Sequence, residues 1–372
     1  MAIIKVLITG AEGFVGRNLV AELSTRDNLT IFKFDRNTSL ELLDSFCQKA
    51  EFVFHLAGVN RPEEFSEFMK GNFGFTNKLL ETLKKHNNTC PIMISSSIQA
   101  TLDNDYGRSK KASEKLVSQY AGETGVKVMV YRLQNVFGKW CRPNYNSVVA
   151  TFCHNIAHGL PITINNPSTV MNLIYIDDVI QELINAMEGY PTVDGDFCKV
   201  PIVHVIKLGE ILKLLESFKV SREKRQIPNQ ADPFIKKLYS TYLSYLSTDN
   251  FCYDLKMNVD HRGSFTEFIK TPDRGQVSVN ISKPNVTKGN HWHHSKNEKF
   301  LVVSGEGVIR FRALGTDEVI EYFVSGKKLQ VVDVPVGYTH HIENLGESDM
   351  VTLMWVNEIF DPSASDTYFL EV

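Results

Sequence analysis

No apolar run in this 372-residue chain reaches the roughly 18 residues that a membrane-spanning helix requires, which excludes that class of anchor. The opening run Ile3–Ile8 is short and is followed at once by Gly10, so it does not read as a secretory leader. A soluble, cytoplasmic protein is expected. Neither sign of charge dominates: 40 Lys plus Arg stand against 43 Asp plus Glu, a net charge of −3. That balance gives no electrostatic case for nucleic acid or an anionic membrane surface as partner. Cysteine is sparse. Cys47, Cys90, Cys141, Cys153, Cys198 and Cys252 include no Cys-x-x-Cys pair and read as reduced thiols. There is no fixed-period repeat and no low-complexity tract. What remains is ordinary globular composition, 43% hydrophobic and 22% charged, in a chain too long for a single ordinary core. Two domains are expected, divided as 1–246 and 247–372.

The first has an α/β pattern. The run Ile3–Ile8 stops at Gly10-Ala-Glu-Gly13-Phe14-Val-Gly16, after which Leu19, Val20 and Leu23 share a helical face. Strand, glycine turn and helix form the context of a dinucleotide site. The glycines admit a pyrophosphate close to the backbone, and the helix N-terminus offers amide donors. Gly10, Gly13, Phe14 and Gly16 are therefore cofactor candidates. The next strand, Thr30–Phe34, ends in Asp35-Arg36. Asp35 suits the adenosine ribose hydroxyl and NAD, whereas Arg36 with Arg17 would neutralise a 2′-phosphate and favour NADP. Local sequence leaves the two open. Phe52–Ala57 reads as a third buried strand that brings Leu56 and Ala57 near a nicotinamide ribose, with His55 as a packed core histidine. Asn72–Leu83 reads as an amphipathic helix, and Ile92–Ile94 leads into Ser95-Ser96-Ser97.

Nine residues after Ser97 comes Tyr106-Gly-Arg-Ser-Lys110, whose ends share a helix face at i, i+4. A tyrosine with its usual pKa of about 10 is a poor proton carrier near neutrality unless a neighbouring ammonium favours phenolate. A serine hydroxyl beside it can hold the substrate oxygen that exchanges the proton. Together with Leu56-Ala57-Gly58, Arg132-Leu-Gln-Asn135-Val-Phe-Gly138 and Tyr175-Ile-Asp177-Asp178-Val179, these motifs make residues 1 to about 240 resemble an extended short-chain dehydrogenase/reductase. The resemblance implies a Rossmann-type domain acting on a nucleotide-diphosphate sugar. Tyr106 is implied as proton donor, Lys110 as its tuner and ribose ligand, Ser97 as hydroxyl partner, and Asn135 as a contact of the substrate diphosphate. The serine-to-tyrosine spacing is shorter than the family's, which leaves the choice among Ser95, Ser96 and Ser97 open.

Residues 207–246 read as a helix, a polar stretch with Ser221-Arg-Glu-Lys-Arg225, and a tyrosine-rich helix. Beyond about 247 the pattern changes to short alternating strands split by Gly, Pro and Asn turns, among them Gln276–Ile281, Val308–Phe311 and Val351–Val356. Within them lies His291-x-His293-x4-Glu298, then Pro335-x-Gly337-x-x-His340. Three imidazoles and a carboxylate on one face of a barrel suit Zn²⁺, Fe²⁺, Mn²⁺ or Ni²⁺. His340 is preferred to His341 by its spacing from the turn, and His294 points away from His293. The two motifs match those of cupins, which implies an all-β jelly-roll barrel. Asp260-His-Arg262-Gly-Ser-Phe-Thr-Glu267 resembles the opening segment of deoxysugar-epimerase cupins, making Arg262 a substrate candidate; a salt bridge within a turn is the alternative.

A reductase followed by a cupin resembles the CapF family of capsular-polysaccharide enzymes along the whole chain, including Trp140-Cys-Arg-Pro-Asn-Tyr145-Asn-Ser147 and Tyr239-Ser-Thr-Tyr242. The resemblance implies C3 epimerisation by the cupin, then NADPH-dependent C4 reduction by the reductase. The substrate implied is a UDP-2-acetamido-2,6-dideoxy-4-hexulose and the product UDP-N-acetyl-6-deoxy-L-talose, on the route to N-acetyl-L-fucosamine. It moves the cofactor expectation to NADP(H), adds a divalent ion with zinc foremost, and implies a homodimer. Two alternatives remain open: a single-activity reductase with a structural cupin, and a dinucleotide-binding sensor or scaffold without turnover.

Overall fold

The computed structural model describes residues 3–372 apart from positions 63, 65 and 362. The chain forms two compact units: Met1–Glu216 with Pro233–Ser247, and Ser217–Asp232 with Thr248–Val372. The second unit thus takes in 217–232, which the periodicity groups with the preceding helices. Two contacts tie this segment there. Arg225 forms an ion pair with Glu267 at 2.6 Å, and Gln226 bridges Lys270 in parallel register.

In the first unit the strands are β1 (Ile4–Thr9), β2 (Leu29–Phe34), β3 (Phe52–His55), β4 (Ile92–Ser97), β5 (Val128–Leu133), β6 (Asn135–Phe137), β7 (Val170–Tyr175), β8 (Val193–Asp194), β9 (Phe197–Cys198) and β10 (His204–Lys207). Seven form a sheet in the order β2-β1-β3-β4-β5-β9-β8, parallel from β2 to β9. All of β3 is buried, as in a sheet covered on both faces. The chain steps back over β1 between β2 and β3, where the strand order reverses, and because the strands are parallel the carboxyl ends of β1, β3, β4 and β5 lie along one edge. That edge is where ligands bind in open α/β sheets. His55 is held inside by Thr9 Oγ1 at 2.7 Å and Thr76 Oγ1 at 2.9 Å, and burial, then Lys110, pushes its pKa down to about 3. It is a satisfied core residue.

The helix expected over 72–83 spans Phe75–Lys85 and is preceded by a widened π turn at Met69–Gly74. The widening has a local cause: Asn72 turns back to bond both the N–H and the carbonyl of Val59 and reaches Ser109 Oγ.

The second unit is all-β, with β11 (Met257–Asp260), β12 (Gly263–Thr271), β13 (Gly275–Ser282), β14 (Thr287–Trp292), β15 (Glu298–Ser304), β16 (Glu306–Ala313), β17 (Val319–Ser325), β18 (Val331–Val334), β19 (Tyr338–Asn344), β20 (Met350–Val356) and β21 (Tyr368–Phe369). They form antiparallel sheets ordered β11-β12-β13-β20-β15-β18 and β17-β16-β19-β14-β21, a cupin-like barrel. Phe300, Val302, Ile309, Phe311, Val332 and Ile342 pack its core. One strand reverses the usual rule. On β13 the buried face is Gln276, Ser278, Asn280 and Ser282, while Val277, Val279 and Ile281 are only half-buried. Gln276, Ser278 and Asn280 of that face line a cavity of about 710 Å³.

Candidate active site and metal centre

In the first unit the glycine loop is tightly built. A Cβ on Gly16 would lie 2.0 Å from the Gly10 carbonyl, and one on Gly10 2.7 Å from the Ala57 nitrogen, so only glycine fits either position. Helix Phe14–Leu23 starts immediately beyond Gly13, leaving its first amides directed at the loop. Phe14 itself packs into the core. Asp35 accepts a hydrogen bond from the Glu12 amide at 2.7 Å, which sets its carboxylate over the loop, and burial raises its pKa. Arg36 is exposed. Arg17 stacks over Trp140, 5.4 Å from the ring centroid. The cradle, the amide-bearing helix end and the acidic residue fit a nicotinamide dinucleotide, and the backbone of Leu56 and Ala57 lies against Gly10.

The three serines separate by partner. Ser95 donates to the His55 carbonyl at 3.3 Å, and Ser96 donates to Glu114 at 2.6 Å. Glu114 is itself bound by Arg132 at 2.9 and 2.7 Å, so Ser96 belongs to a buried structural network. Ser97 is left at the tip of β4, hydrogen-bonded to the Tyr106 hydroxyl. Tyr106 lies in the first turn of helix Asp105–Thr124, which Asn104 caps by accepting from the Gly107 amide at 2.7 Å. Burial raises the Tyr106 pKa, and the bond with Ser97 opposes the rise. One turn on, Lys110 is buried with Nζ donating to the Ser95 carbonyl at 3.0 Å and lying 6.0 Å from the Tyr106 ring centroid. Burial pushes its pKa down to about 8, with Glu114 opposing. Ser97, Tyr106 and Lys110 are therefore brought together. Asn135 is not part of that group: it is exposed, with Nδ2 donating to the Asn172 carbonyl at 3.3 Å.

In the barrel His291, His293, Glu298 and His340 converge with one ligand atom of each within 4.8 Å of the others. Register explains this grouping. His291 pairs with His340 across β14 and β19, and the bulge at Gly289–His291 resets which residues face inward. His341 faces the other way, bonding Asn290 Oδ1 at 2.9 Å beside Arg310. His294 is exposed and packs on Trp292 and Tyr368. Glu298 Oε2 lies 3.2 Å from His340 Nε2 and 3.7 Å from His293 Nε2. His293 Nε2, Glu298 Oε2 and both His340 nitrogens are buried without a hydrogen-bond partner. Orphaned atoms on His293, Glu298 and His340, converging with His291, fit a divalent cation. Burial, then His340, lowers His291 to a pKa of about 4, so the imidazole is neutral and its lone pair free near neutrality. Burial alone would raise Glu298; the imidazoles of His293 and His340 and the Lys296 ammonium reverse this and hold it well below the usual range.

Sequence reasoning missed the support around these donors. His293 Nδ1 bonds the Asp366 carbonyl, which leaves Nε2 for a metal. The Asp366 carboxylate accepts from the amides of His294, Ser295 and Lys296 at 2.9, 2.7 and 2.9 Å, and those bonds hold it ionised. An aspartate so far along the chain carries no local signal of this role. The cavity wall also holds Arg262, which pairs with Asp260 at 2.7 Å, and Lys288 and Lys296.

The model of the NAD dependent epimerase/dehydratase family matches residues 6–196, and that of the polysaccharide biosynthesis C-terminal domain matches residues 258–368. The fold is thus that of an epimerase/dehydratase-type unit joined to a C-terminal barrel of the polysaccharide biosynthesis class. Among relatives, UDP-2-acetamido-2,6-beta-L-arabino-hexul-4-ose reductase of Pseudomonas aeruginosa is 44% identical over 99% of either chain. The solved structure of capsular polysaccharide assembling protein CapF from Staphylococcus aureus is 58% identical, covers 99% of this chain and 100% of its own, and superposes with a TM-score of 0.94. The UDP-glucuronic acid 4-epimerase of Bacillus cereus, 21% identical over 58% of this chain and 84% of its own with a TM-score of 0.52, shares the fold of the first unit. The chain belongs to the NAD dependent epimerase/dehydratase family and, within it, to the CapF-type proteins.

Proposed function

We propose that the chain is a bifunctional nucleotide-sugar enzyme. The barrel epimerises C3 of a UDP-2-acetamido-2,6-dideoxy-4-hexulose, and the first unit reduces the C4 ketone to give UDP-N-acetyl-6-deoxy-L-talose for capsular polysaccharide. The observation that carries the reading is the presence, in one chain, of a Ser97–Tyr106–Lys110 group and a separate four-donor cluster facing a cavity with a polar β13 wall. The name of the Pseudomonas relative, a reductase of a 4-hexulose, supports the second reaction. Residues 1–246 serve reduction and 247–372 epimerisation.

In the reductase a dinucleotide held by the glycine loop, read as NADPH, would supply the hydride. Ser97 and Tyr106 hold the C4 carbonyl oxygen, and Tyr106 donates the proton that completes the alcohol. Lys110 steadies the phenol and binds the nicotinamide ribose. Gly10, Gly13, Phe14 and Gly16 cradle the pyrophosphate, Leu56 and Ala57 line the nicotinamide side, and Asp35, Arg36 and Arg17 meet the adenosine end. Asn135 contacts the substrate diphosphate once its bond to Asn172 opens. Protonated Lys110 is required and has a pKa of about 8, whereas Tyr106 loses its proton only above its usual value. The kcat/KM for NADPH oxidation is therefore expected to be high below pH 8 and to fall above it; Lys110→Arg should carry that limb to higher pH.

In the barrel His291, His293, Glu298 and His340 would hold a divalent ion, read as zinc. Such an ion supplies Lewis acidity for the negative charge that builds on the C4 oxygen as the C3 proton leaves. Asp366 keeps the loop carrying His293 in place. Asp366→Ala is expected to weaken zinc retention about 10- to 100-fold in competition with a chelator.

Solvent exchange tests the epimerase half directly. In D₂O without NADPH, the 4-keto substrate should gain deuterium at C3; no exchange would leave a reductase with a structural barrel. A cytoplasmic homodimer completes the reading. No helix among the described residues is long and apolar enough to cross a membrane. Strand β17 at a sheet edge exposes Val319 and Phe323 on one face and Ile320 and Tyr322 on the other, apolar surface suited to a second copy.

A further inference from the structure

Lys288 is three residues before His291, and on a regular strand their side chains would face opposite ways. The β14 bulge changes that. Gly289 (φ +118°) and Asn290 (φ +59°) absorb one residue, so that Lys288 pairs with Ile342 while His291 pairs with His340. Ile342 and His340 alternate on one face of β19, both buried, and Lys288 and His291 both line the cavity. A Cβ on Gly289 would lie 2.8 Å from the His340 carbonyl, so the bulge depends on glycine there. The bulge thus presents an ammonium to the same chamber as the metal donors.

The partners of that ammonium are neutral. Lys288 Nζ donates to Asn280 Oδ1 at 2.9 Å and to the Ile281 carbonyl at 2.7 Å, and no ion pair to it is found among the described residues. Burial lowers its pKa, with Asp260 opposing and Arg262 adding to the shift. The Arg262 guanidinium nearby is paired with Asp260. Among the described residues, Lys288 and Arg262 against Asp260 leave one cation without an ion-pair partner at this spot; of the other carboxylates lining the cavity, Glu267 is paired with Arg225 and Lys270, and Glu358 is the remaining one beside Glu298. The metal donors carry only Glu298 as a formal charge, with Lys296 beside it.

We propose that Lys288, with Arg262, forms the subsite of the barrel cavity that holds the diphosphate of a nucleoside diphosphate, anchoring the sugar toward the four-donor cluster. This rests on the nucleotide-sugar reading of the cavity. Lys288 is here a binding residue that takes no part in proton transfer. A phosphate oxygen supplies the anionic partner that the neutral acceptors do not, and Arg262 adds a second, fork-shaped donor.

Site-resolved acetylation of the full chain, followed by mass spectrometry, tests the subsite without turnover. Lys288 should react in the free protein. UDP or inorganic pyrophosphate should slow that reaction tenfold or more, uridine should not, and Arg262→Gln should raise the UDP concentration needed about tenfold. A Lys288 that is unreactive without UDP, or that reacts equally with and without saturating UDP, overturns the proposal. In Lys288→Met with its metal content verified, the KM for C3 exchange should rise at least tenfold with kcat within threefold. A fall in kcat at unchanged KM contradicts the anchoring role. Protection of Lys288 in a protein that shows no C3 exchange would sink the epimerase reading and leave the subsite standing.

Discussion

His291→Ala is expected to abolish deuterium incorporation at C3, slowing exchange by about a thousandfold or more, while NADPH oxidation of the already epimerised 4-keto sugar continues near the wild-type rate. The expectation follows from the geometry of the cluster. His291 is one of four donors whose atoms lie within 4.8 Å of one another, and its pKa of about 4 makes it a neutral ligand at working pH. Removing it leaves three donors around buried atoms that have no other partner. A Lewis acid contributes several kcal/mol to a developing anion, and about 4 kcal/mol corresponds to that thousandfold change. Elemental analysis of the variant, run beside the exchange assay, separates loss of metal from loss of fold. Exchange at the wild-type rate in a metal-free variant would remove the cluster from the chemistry.

Tyr106→Phe is the complementary change. It deletes one hydroxyl, retains the ring that packs 5.7 Å from Phe68, and leaves Ser97 and Lys110 in place. Loss of a positioned general acid costs about 10²- to 10⁴-fold, so NADPH oxidation should fall by that factor with little change in the dissociation constant of NADPH. Exchange at C3 should continue, because no atom of Tyr106 belongs to the barrel cluster. Equal loss of both activities would mean that the two reactions share one acid.

Much of this was legible in the sequence because the motifs impose geometry. Tyr106 and Lys110 share a face by helical period, and the glycines at 10 and 16 are required by contacts of 2.7 and 2.0 Å that any side chain would violate. The four barrel donors converge as their spacing implied. What was hidden depends on register or on distant partners. The serine tripeptide gives no clue to which hydroxyl meets Tyr106; the His55 carbonyl takes Ser95, and Glu114, held by Arg132, takes Ser96. Alternation on β13 would place Val277, Val279 and Ile281 inside, yet the inner face is Gln276, Ser278 and Asn280. A ligand cavity, unlike an apolar core, rewards polar walls. Strand period likewise sets Lys288 opposite to His291, and only the bulge at Gly289 and Asn290 brings them to one side. Asp366 and the segment 217–232 join the barrel through long-range bonds that local pattern does not contain.

The central claim is that one chain inverts C3 and then reduces C4. Incubation with NADPH and the UDP-4-keto-6-deoxy sugar in D₂O, followed by proton NMR of the product, tests both steps in one tube. The account predicts UDP-N-acetyl-6-deoxy-L-talose with deuterium at C3 and a hydroxyl at C4. An alcohol that retains protium and the original configuration at C3 would contradict it.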